Sequence, residues 1–412
     1  MESPVSLELA KHTLLVFGII LAIGTFSGLL ARLLKIPDVV IFLLIGLLLG
    51  PEALGWVDIK AGSATNQLIM IFGSSYILFD GGATIKLKVL KEVWITVVVI
   101  ATIGLLITAT ITSVAAYYIL GVPFIVALLL GAVIASTDPA TLIPVFKQIR
   151  IKERVAQTVL SESAFNDAMG AILTLTVLGV ALGAGEFSVG NAVLDLLKQS
   201  LFGIVIGGAL GYLAALFISH EKLGLLAEYV PVVTLMAVIG AYLGADGLHS
   251  SGFMAVFVFG IMLGNQSLLG FRQTRQAEKQ LEEFVMTTSL IMRMFIFILL
   301  GTQVSFSLIN QYLLSGIAVV IIFMLIARPL TVLLCALPDR RAKWRVNELL
   351  FMCWTRETGV IPGALAGILL GMKAPGAEII ASVTFIAILM TILIQATSAK
   401  WLAKKLDLLV DK

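Results

Sequence analysis

The sequence predicts an all-α, polytopic membrane protein. Hydrophobic residues make up 59% of its 412 residues, charged residues make up 13%, and the mean hydropathy is +1.06. About thirteen segments are long and apolar enough to cross a bilayer. Lysine and arginine are concentrated in every second loop between them, which places most of the positive charge on one side of the membrane. A net charge of +3 gives no basis for nucleic-acid binding, and the two cysteines lack metal-ligand spacing.

The thirteen candidate segments predict a single transmembrane domain over residues 1–412. We expect no cleavable signal before the first segment, and no soluble regulatory domain after Leu402, since the tail beyond it is short. The approximate bounds of the segments are 13–31, 36–50, 66–83, 93–120, 122–146, 155–182, 203–218, 229–245, 252–264, 284–301, 312–337, 349–370 and 379–402.

The distribution of lysine and arginine tests this segment count, because a wrong number of spans would mix the charged loops of the two sides. Of the 28 such residues, twenty-one fall in loops on one side and four in loops on the other, while Arg293, Arg328 and Arg356 lie inside spans. We therefore expect the N-terminus outside the cell and the C-terminus in the cytoplasm.

Thirteen segments also allow two six-helix halves of opposite orientation, at about 13–182 and 229–402, joined by the seventh segment. In this scheme the fifth segment corresponds to the twelfth. Both are interrupted, the fifth at Asp138-Pro139 and the twelfth by charge, glycine and proline between Trp354 and Gly363. Proline removes a helix hydrogen bond, and paired interruptions in inverted repeats point to the binding site of a transporter. We expect the two broken helices, 5 and 12, to cross at that site.

Three carboxylates, Asp138, Glu162 and Asp167, lie within the fifth and sixth segments. A charged side chain at the centre of a bilayer costs about 2.5 to 3.5 kcal/mol even on an insertion scale, which indicates a function for these acids. On the sixth segment Ser163 and Asp167 lie one helical turn apart, and Asn166 is adjacent to Asp167. A structural role as a helix cap after the break is an alternative for Asp138.

The residue types around these acids suit a monovalent cation. Sodium is a hard ion that prefers oxygen ligands, and Asp167, Ser163 and Thr137 offer a carboxylate and two hydroxyls beside the interrupted backbone near Asp138. Burial away from water favours the neutral form of a carboxylate, so a proton and Na+ can compete for Asp167. Competition for one site is sufficient for antiport, because the empty, charged carboxylate does not cross the hydrophobic barrier readily.

The same residues resemble a known family. The motifs that carry the similarity are Phe79-Asp80-Gly81-Gly82, Thr137-Asp138-Pro139, Glu162-Ser163 and Phe165-Asn166-Asp167-Ala168, followed by Arg328 and Arg356. Together they are similar to the sodium/proton antiporters of the cation-proton antiporter superfamily, and most of all to its NhaP-like branch, which is related to the animal sodium/proton exchangers. The resemblance covers nearly the whole chain. It implies thirteen helices, a six-helix core bundle around crossing broken helices, and a homodimer.

The resemblance also implies which residues bind the ions. Asp167 would bind the cation and the proton in turn. Oxygens of Thr137, Asp138 and Ser163 would complete the Na+ site. Asn166 stands where electrogenic relatives carry a second aspartate, so we expect an electroneutral 1:1 exchange.

Five further charged residues would support this site. Glu162 matches an acid of the family that pairs with a membrane-embedded arginine, here Arg328. Arg356 matches the arginine that neutralises carbonyl dipoles at the break of the twelfth helix, and Asp80 matches an acid that lines the approach. Glu357, directly after Arg356, is an acid that the family pattern lacks.

Other functions are open at this point. A K+/H+ antiporter of the same fold would differ only in ion preference. An intramembrane aspartyl protease could use Asp138 and Asp167 as a dyad, although neither lies in a Gly-x-Gly-Asp context. A sodium-coupled solute symporter would need a larger polar cavity, and a channel would show a pore-loop repeat.

We therefore expect a transporter rather than an enzyme. It would exchange Na+, and also Li+, for H+ by alternating access, without a cofactor and without a soluble protein partner. The expected location is the plasma membrane of a prokaryote.

Overall fold

Helices make up nearly all of the computed structural model, which describes residues 4–137, 151–183, 189–219 and 224–410. Within these ranges the chain forms fourteen α-helices and no strand, apart from one isolated antiparallel bridge between Ile151 and Leu409. In chain order the helices are α1 (Pro4–Leu34), α2 (Asp38–Leu49), α3 (Ala64–Ala83), α4 (Leu87–Leu120), α5 (Phe124–Ile134), α6 (Glu153–Ala181), α7 (Val189–Ile218), α8 (Val230–Asp246), α9 (Gly252–Gly264), α10 (Arg275–Thr302), α11 (Phe306–Ala336), α12 (Val346–Trp354), α13 (Val360–Gly371) and α14 (Ala377–Lys405).

Each of the thirteen predicted segments contains a helix, and the twelfth contains two, α12 and α13. Among the described residues, seven helices are long and apolar enough to cross a bilayer alone, namely α1, α4, α6, α7, α10, α11 and α14. Five more, α2, α5, α8, α9 and α13, are apolar but shorter. Because lipid offers the backbone no hydrogen-bond partner, helices that satisfy their own amides are the stable form of such segments. The chain is a multi-pass, all-α membrane protein, as predicted.

Local signals set several of the helix boundaries. Ser63, Ser251 and Thr274 cap α3, α9 and α10, since each hydroxyl accepts a hydrogen bond of 3.1 to 3.2 Å from the backbone N–H three residues later. After α4 the chain turns at Gly121, whose φ of +65° lies in the left-handed region that glycine tolerates best.

The helices pack as two bundles. The first, which we call the core bundle, contains α4, α5, α6, α11, α12, α13 and α14. The second, which we call the outer bundle, contains α1, α2, α3, α7, α8, α9 and α10. The two bundles meet where α3, α9 and α10 pack against α6 and α13.

Contacts within the bundles follow the pairing that the sequence predicts for two inverted repeats. Helix α2 packs on α10, and its counterpart α9 packs on α3. Likewise α4 packs on α6 as α11 packs on α14, and α5 packs on α14 as α12 packs on α6. Each of these contacts in one half therefore has a matching contact in the other half.

Glycines allow the closest of these paired approaches. A Cβ on Gly46 of α2 would overlap the carbonyl oxygen of Ile298 on α10. A Cβ on Gly260 of α9 would overlap the carbonyl oxygen of Phe79 on α3 in the same way. Small residues are the usual means by which membrane helices approach each other closely. Close helix contact at a glycine therefore occurs in both halves of the outer bundle.

The predicted interruptions fall where helices end. Helix α12 stops at Trp354 and α13 starts at Val360, which leaves five non-helical residues in the middle of the twelfth segment. Helix α5 stops at Ile134, before the Asp138-Pro139 pair, which itself lies outside the described residues. One π turn interrupts each of the corresponding helices α4 and α11, at Ile100–Gly104 and Phe323–Ala327.

A polar cluster closes one end of the core bundle. Asp339, in the loop between α11 and α12, accepts hydrogen bonds from the Thr96 hydroxyl at 2.6 Å and from the backbone N–H groups of Arg341 and Ala342 at 3.1 and 3.2 Å. Thr96 in turn accepts a bond of 2.9 Å from the indole N–H of Trp344. This cluster fixes the α11–α12 loop against α4.

Candidate ion-binding site

The site is built on α6, a helix that passes through the core bundle next to the outer bundle. Ser163, Asp167, Gly170 and Thr174 lie on one face of it, and all four are buried. The Asp167 side chain is only 2% exposed. A buried carboxylate at this depth is expensive unless it exchanges charge with a ligand or is neutralised by a neighbour.

The chain that leaves α5 lies directly against this face. The Thr137 hydroxyl and the Ser163 hydroxyl are hydrogen-bonded at 2.7 Å, and the Thr137 backbone N–H donates to Oδ1 of Asn166 at 3.1 Å. All three residues are buried. The interrupted segment and α6 thus bring two hydroxyls and an amide next to Asp167.

One glycine makes this approach possible. A Cβ on Gly170 would lie 2.6 Å from the Cβ of Ser136, closer than two such atoms can come. Any larger residue at position 170 would push the end of the α5 segment away from α6. Gly170 is therefore a steric requirement of the site.

Glu162 and Arg328 form a buried pair beside the site. The Arg328 Nη1 and Nη2 atoms donate to Oε1 and Oε2 of Glu162 at 2.6 and 2.7 Å, and both side chains are almost fully buried. Arg328 also donates to the carbonyl oxygens of Met352 at 2.9 Å and Thr355 at 3.4 Å. The pair therefore links α6 and α11 to the break of the twelfth segment, in a two-bond geometry that suits arginine.

Arg356 occupies the break itself. Its Nη2 atom donates to the carbonyl oxygen of Ala135, at the end of α5, and its Nη1 atom donates to the Thr108 hydroxyl at 3.3 Å. The guanidinium also lies over the ring of Phe323, 5.3 Å from the centroid. The positive charge of Arg356, in the break of the twelfth segment, thus also stabilises the end of α5, because the C-terminal carbonyls of α5 carry partial negative charge.

The other predicted residues lie in the break, on the outer bundle, or outside the described residues. Glu357 is fully buried in the break, next to Arg356 in the chain. Asp80 is half-buried in the last turn of α3, on the outer bundle. Asp138 lies outside the described residues.

Sequence reasoning missed two hydroxyls in this region. Thr108 on α4 and Thr331 on α11 are hydrogen-bonded at 2.8 Å, and Thr108 also accepts from Arg356. Thr331 approaches α4 because Gly104 leaves room for it. The sequence shows each threonine only as a polar residue on an apolar helix, and that does not reveal which residue it contacts.

The donors suit a transported cation better than a resident metal. Within the described part of the chain, no group of three or more histidine, cysteine, aspartate or glutamate side chains could hold a metal ion. A carboxylate and hydroxyls beside an interrupted backbone are oxygen donors of the kind that hard cations prefer.

Comparisons with known proteins agree with this geometry. The chain is 33% identical to Na(+)/H(+) antiporter 1 of Methanocaldococcus jannaschii, over 94% of each chain. It is 32% identical to the K(+)/H(+) antiporter NhaP of Alkalimonas amylolytica, over 98% of this chain and 69% of that one. The solved structure of the sodium proton antiporter MjNhaP1 from Methanocaldococcus jannaschii at pH 8 superposes with a TM-score of 0.82 at 31% identity, covering 97% of this chain and 99% of that one.

The match to a family extends over most of the sequence. Residues 18–405 match the family model of the transmembrane sodium/hydrogen exchangers. These proteins are transporters rather than enzymes, so the match excludes the aspartyl protease interpretation of the membrane acids. The chain belongs to the sodium/hydrogen exchanger family.

Proposed function

We propose that this protein is a secondary antiporter that exchanges Na+ for H+ at Asp167. The observation that carries the proposal is the burial of Asp167 beside the Thr137–Ser163 hydroxyl pair, at the end of an interrupted helix. The identity to an Na(+)/H(+) antiporter over nearly the full length of both chains supports it. Burial disfavours the bare carboxylate, so the site holds either a cation or a proton, and the two compete.

The hydroxyl pair and the backbone near it complete the cation site in this proposal. Thr137, Ser163 and the carboxylate of Asp167 provide oxygen ligands, with Asp138 completing the set from the segment after α5. Asn166 holds the Thr137 backbone through its side-chain oxygen and does not exchange a proton itself. Glu162, Arg328 and Arg356 keep fixed charges paired around the site.

A second candidate is K+/H+ exchange at the same site. The similarity to a K(+)/H(+) antiporter favours it, since that protein matches this chain at almost the same identity. The choice between Na+ and K+ depends on the size and rigidity of the oxygen cage, which is a property of the complete ligand set.

Proton flux in reconstituted vesicles tests the proposal and ranks the cations. Purified protein is placed in liposomes that hold a pH-sensitive dye, and Na+, Li+ or K+ is added in separate runs. Na+ and Li+ should each move protons, and K+ should move fewer. Flux with K+ alone would establish the second candidate, and flux with no cation would contradict antiport altogether.

We also propose a homodimer in the plasma membrane, with the N-terminus outside the cell and the C-terminus in the cytoplasm. The side-to-side difference in lysine and arginine supports the orientation. The matched relatives come from a bacterium and an archaeon, which supports a prokaryotic host. Labelling of single cysteines placed in the Lys60 and Arg341 loops, from outside intact cells, tests the orientation, and native mass spectrometry tests the dimer.

A further inference from the structure

The non-helical stretch between α12 and α13, which we call the second break, is bound to α14 at two points. The backbone N–H of Thr358 donates a hydrogen bond of 3.1 Å to the Thr391 hydroxyl. The indole N–H of Trp354, at the end of α12, donates one of 2.8 Å to the Ser398 hydroxyl. Thr391 and Ser398 lie about two turns apart on α14. The second break therefore runs along α14 from one bond to the other.

The first of these bonds has a counterpart at the ion site. There the backbone N–H of Thr137, in the chain that leaves α5, donates to the side-chain oxygen of Asn166 on α6, also at 3.1 Å. Helices α6 and α14 correspond in the two repeats, and so do the two interrupted segments. The second break and α14 therefore form the counterpart of the ion site in the inverted repeat.

The two places differ in the residue that follows the bond by one helical turn. Four residues after Asn166, Gly170 lets the chain that leaves α5 approach α6 so closely that a Cβ would lie 2.6 Å from the Cβ of Ser136. Four residues after Thr391 the sequence has Gln395. Glycine closes the gap between helix and break at the ion site, whereas on α14 the same position carries a long side chain that ends in an amide.

The Gln395 amide is buried without a protein partner. Its side chain is 0% exposed, and it lies on a π turn of α14, Ile392–Ala396, between the two points that hold the second break. Within the described residues, neither Oε1 nor Nε2 of Gln395 has a hydrogen-bond partner, and neither does the hydroxyl of Thr358, which is also fully buried. Buried polar groups that no protein group satisfies are normally bonded to ordered water or to a ligand.

The chemistry of these groups selects the ligand. Nε2 of Gln395 needs an acceptor, Oε1 needs a donor, and the Thr358 hydroxyl can be either. A cation binds only the oxygens and leaves Nε2 unsatisfied, whereas water both donates and accepts. Helix α14 also has Ile392 directly after Thr391, where α6 has Asp167 directly after Asn166. The helix therefore contributes no carboxylate to this second place, and water fits it better than a cation.

We propose that the second break is a binding site for ordered water, held between the Gln395 amide and the Thr358 hydroxyl. Glu357, which precedes Thr358 and is fully buried, shares this water, because a carboxylate accepts several hydrogen bonds. The inverted repeat thus produces two related sites, one for a transported cation and one for a neutral ligand. It follows that each protomer binds one monovalent cation, at Asp167, and this last step rests on the proposed function.

The sign of a stability change tests for the water. Gln395→Leu replaces the amide by an apolar side chain of similar size. If water satisfies the amide, the variant loses those hydrogen bonds, and its melting temperature in detergent should fall by a few degrees. Removal of an amide that has no partner would instead relieve a cost. An unchanged or higher melting temperature would therefore overturn the proposal.

A double-mutant cycle separates lost water from lost packing. Thr358→Val removes the hydroxyl on the other side of the water. If both groups hold the same water, the double variant should melt close to the less stable of the two single variants. The control is Thr234→Val on α8, whose hydroxyl donates to the Val230 carbonyl of its own helix at 2.8 Å. Its effect should add to that of Gln395→Leu. Additive effects of Thr358→Val and Gln395→Leu would overturn the shared water.

The dependence of the melting temperature on Na+ distinguishes water from a second cation. A bound cation stabilises the folded protein, and choline chloride at the same concentration corrects for ionic strength. Na+ should raise the melting temperature equally in the unmodified protein and in Gln395→Leu, and should have no effect in Asp167→Asn. A rise that persists in Asp167→Asn and disappears in Gln395→Leu would show a cation at the second break and overturn the proposal.

The proposed function fails on a different result. Absence of both a Na+ effect and cation-driven flux in the unmodified protein would overturn exchange at Asp167. The double-mutant cycle does not depend on the transported ion, so it would still decide whether the second break holds water.

Discussion

The backbone N–H of Thr137 donates a hydrogen bond of 3.1 Å to the side-chain oxygen of Asn166. This bond ties the end of the interrupted fifth segment to the residue that precedes Asp167. Within the described residues, the Asn166 amide nitrogen has no hydrogen-bond partner, so it is available to a ligand or to water. Asn166 therefore acts on the site through geometry, whereas in the proposed function Asp167 provides the exchangeable charge.

Replacement of Asp167 by asparagine should abolish cation-driven proton flux, because an amide keeps the shape of the side chain and removes the group that binds a proton or a cation. The folded protein should persist, since burial of a neutral side chain is cheaper than burial of a charge. Vesicle flux and size-exclusion chromatography measure the two outcomes. Asp195→Asn, an exposed carboxylate on α7, is the matched control and should retain full flux. Substantial flux in Asp167→Asn would remove Asp167 from the mechanism.

Arg328→Ala should destabilise the protein more than the double change Glu162→Gln and Arg328→Ala. Loss of the arginine alone leaves a buried carboxylate unpaired, at a cost of about 3 to 5 kcal/mol, whereas the double variant leaves no net charge. The double variant should still melt below the wild type, because Arg328 also serves the carbonyl oxygens of Met352 and Thr355. Thermal unfolding in detergent gives the comparison, and equal melting temperatures for the two variants would contradict the prediction.

Asp339→Asn should lower stability at neutral pH and match the wild type in acid. Burial raises the pKa of Asp339, but hydrogen bonds from the Thr96 hydroxyl and from the N–H groups of Ala342 and Arg341 lower it, and the net pKa is below its ordinary value. A carboxylate whose pKa is lower in the folded state stabilises the fold above its unfolded pKa. That contribution is lost as the pH falls through the folded pKa.

The measurement for Asp339 is the melting temperature of both proteins at several pH values from neutral to strongly acidic. The difference should amount to a few degrees at neutral pH, as expected for roughly 1 to 3 kcal/mol of charge-assisted hydrogen bonding, and should shrink in acid. Glu228→Gln, in an exposed loop, is the control and should give no difference that changes with pH. A constant difference across the series would show that only the shape of Asp339 matters.

Much of the fold can be predicted from the sequence, because lipid imposes simple rules on length, hydropathy and charge. Charge, glycine and proline between Trp354 and Gly363 predict an interruption of the twelfth segment, and the structure ends α12 at Trp354 and starts α13 at Val360. The exchanger family was identified from its motifs, and the comparisons confirm it. The roles of Asp167, Ser163 and Asn166 in ion binding stay predictions, and Asp167→Asn tests the first of them.

Other features could not be predicted, because they depend on contacts between distant parts of the chain. The hydrogen bond between Thr108 and Thr331 joins residues 223 positions apart, and it exists because a glycine lets α4 and α11 approach. The hydrogen bonds that Asn265 accepts from Leu87 N–H and Glu52 accepts from Phe306 N–H follow from how the bundles meet. No local pattern marks either residue, since asparagine and glutamate are both common near helix ends.

The stoichiometry of exchange follows from the pair Asn166-Asp167. If Asp167 is the only carboxylate that changes its ligand, each cycle moves one cation in one direction and one proton in the other, so no net charge crosses the membrane. Asparagine at 166 has no proton to exchange at any relevant pH. The initial rate of Na+-driven flux should therefore be the same at zero potential and at a strongly negative potential set by a potassium ionophore.

Two neighbouring acids decide whether this prediction holds. Asp138 adds only a fixed charge if it stays ionised throughout the cycle. Glu357 is fully buried next to Arg356, so it leaves the stoichiometry unchanged as long as its protonation state is the same in both halves of the cycle. A rate that rises steeply with voltage would mean that a second group carries protons. In that case Glu357→Gln is the first variant to measure, because recovery of a voltage-independent rate would identify Glu357 as that group, and an unchanged voltage dependence would direct the search to Asp138.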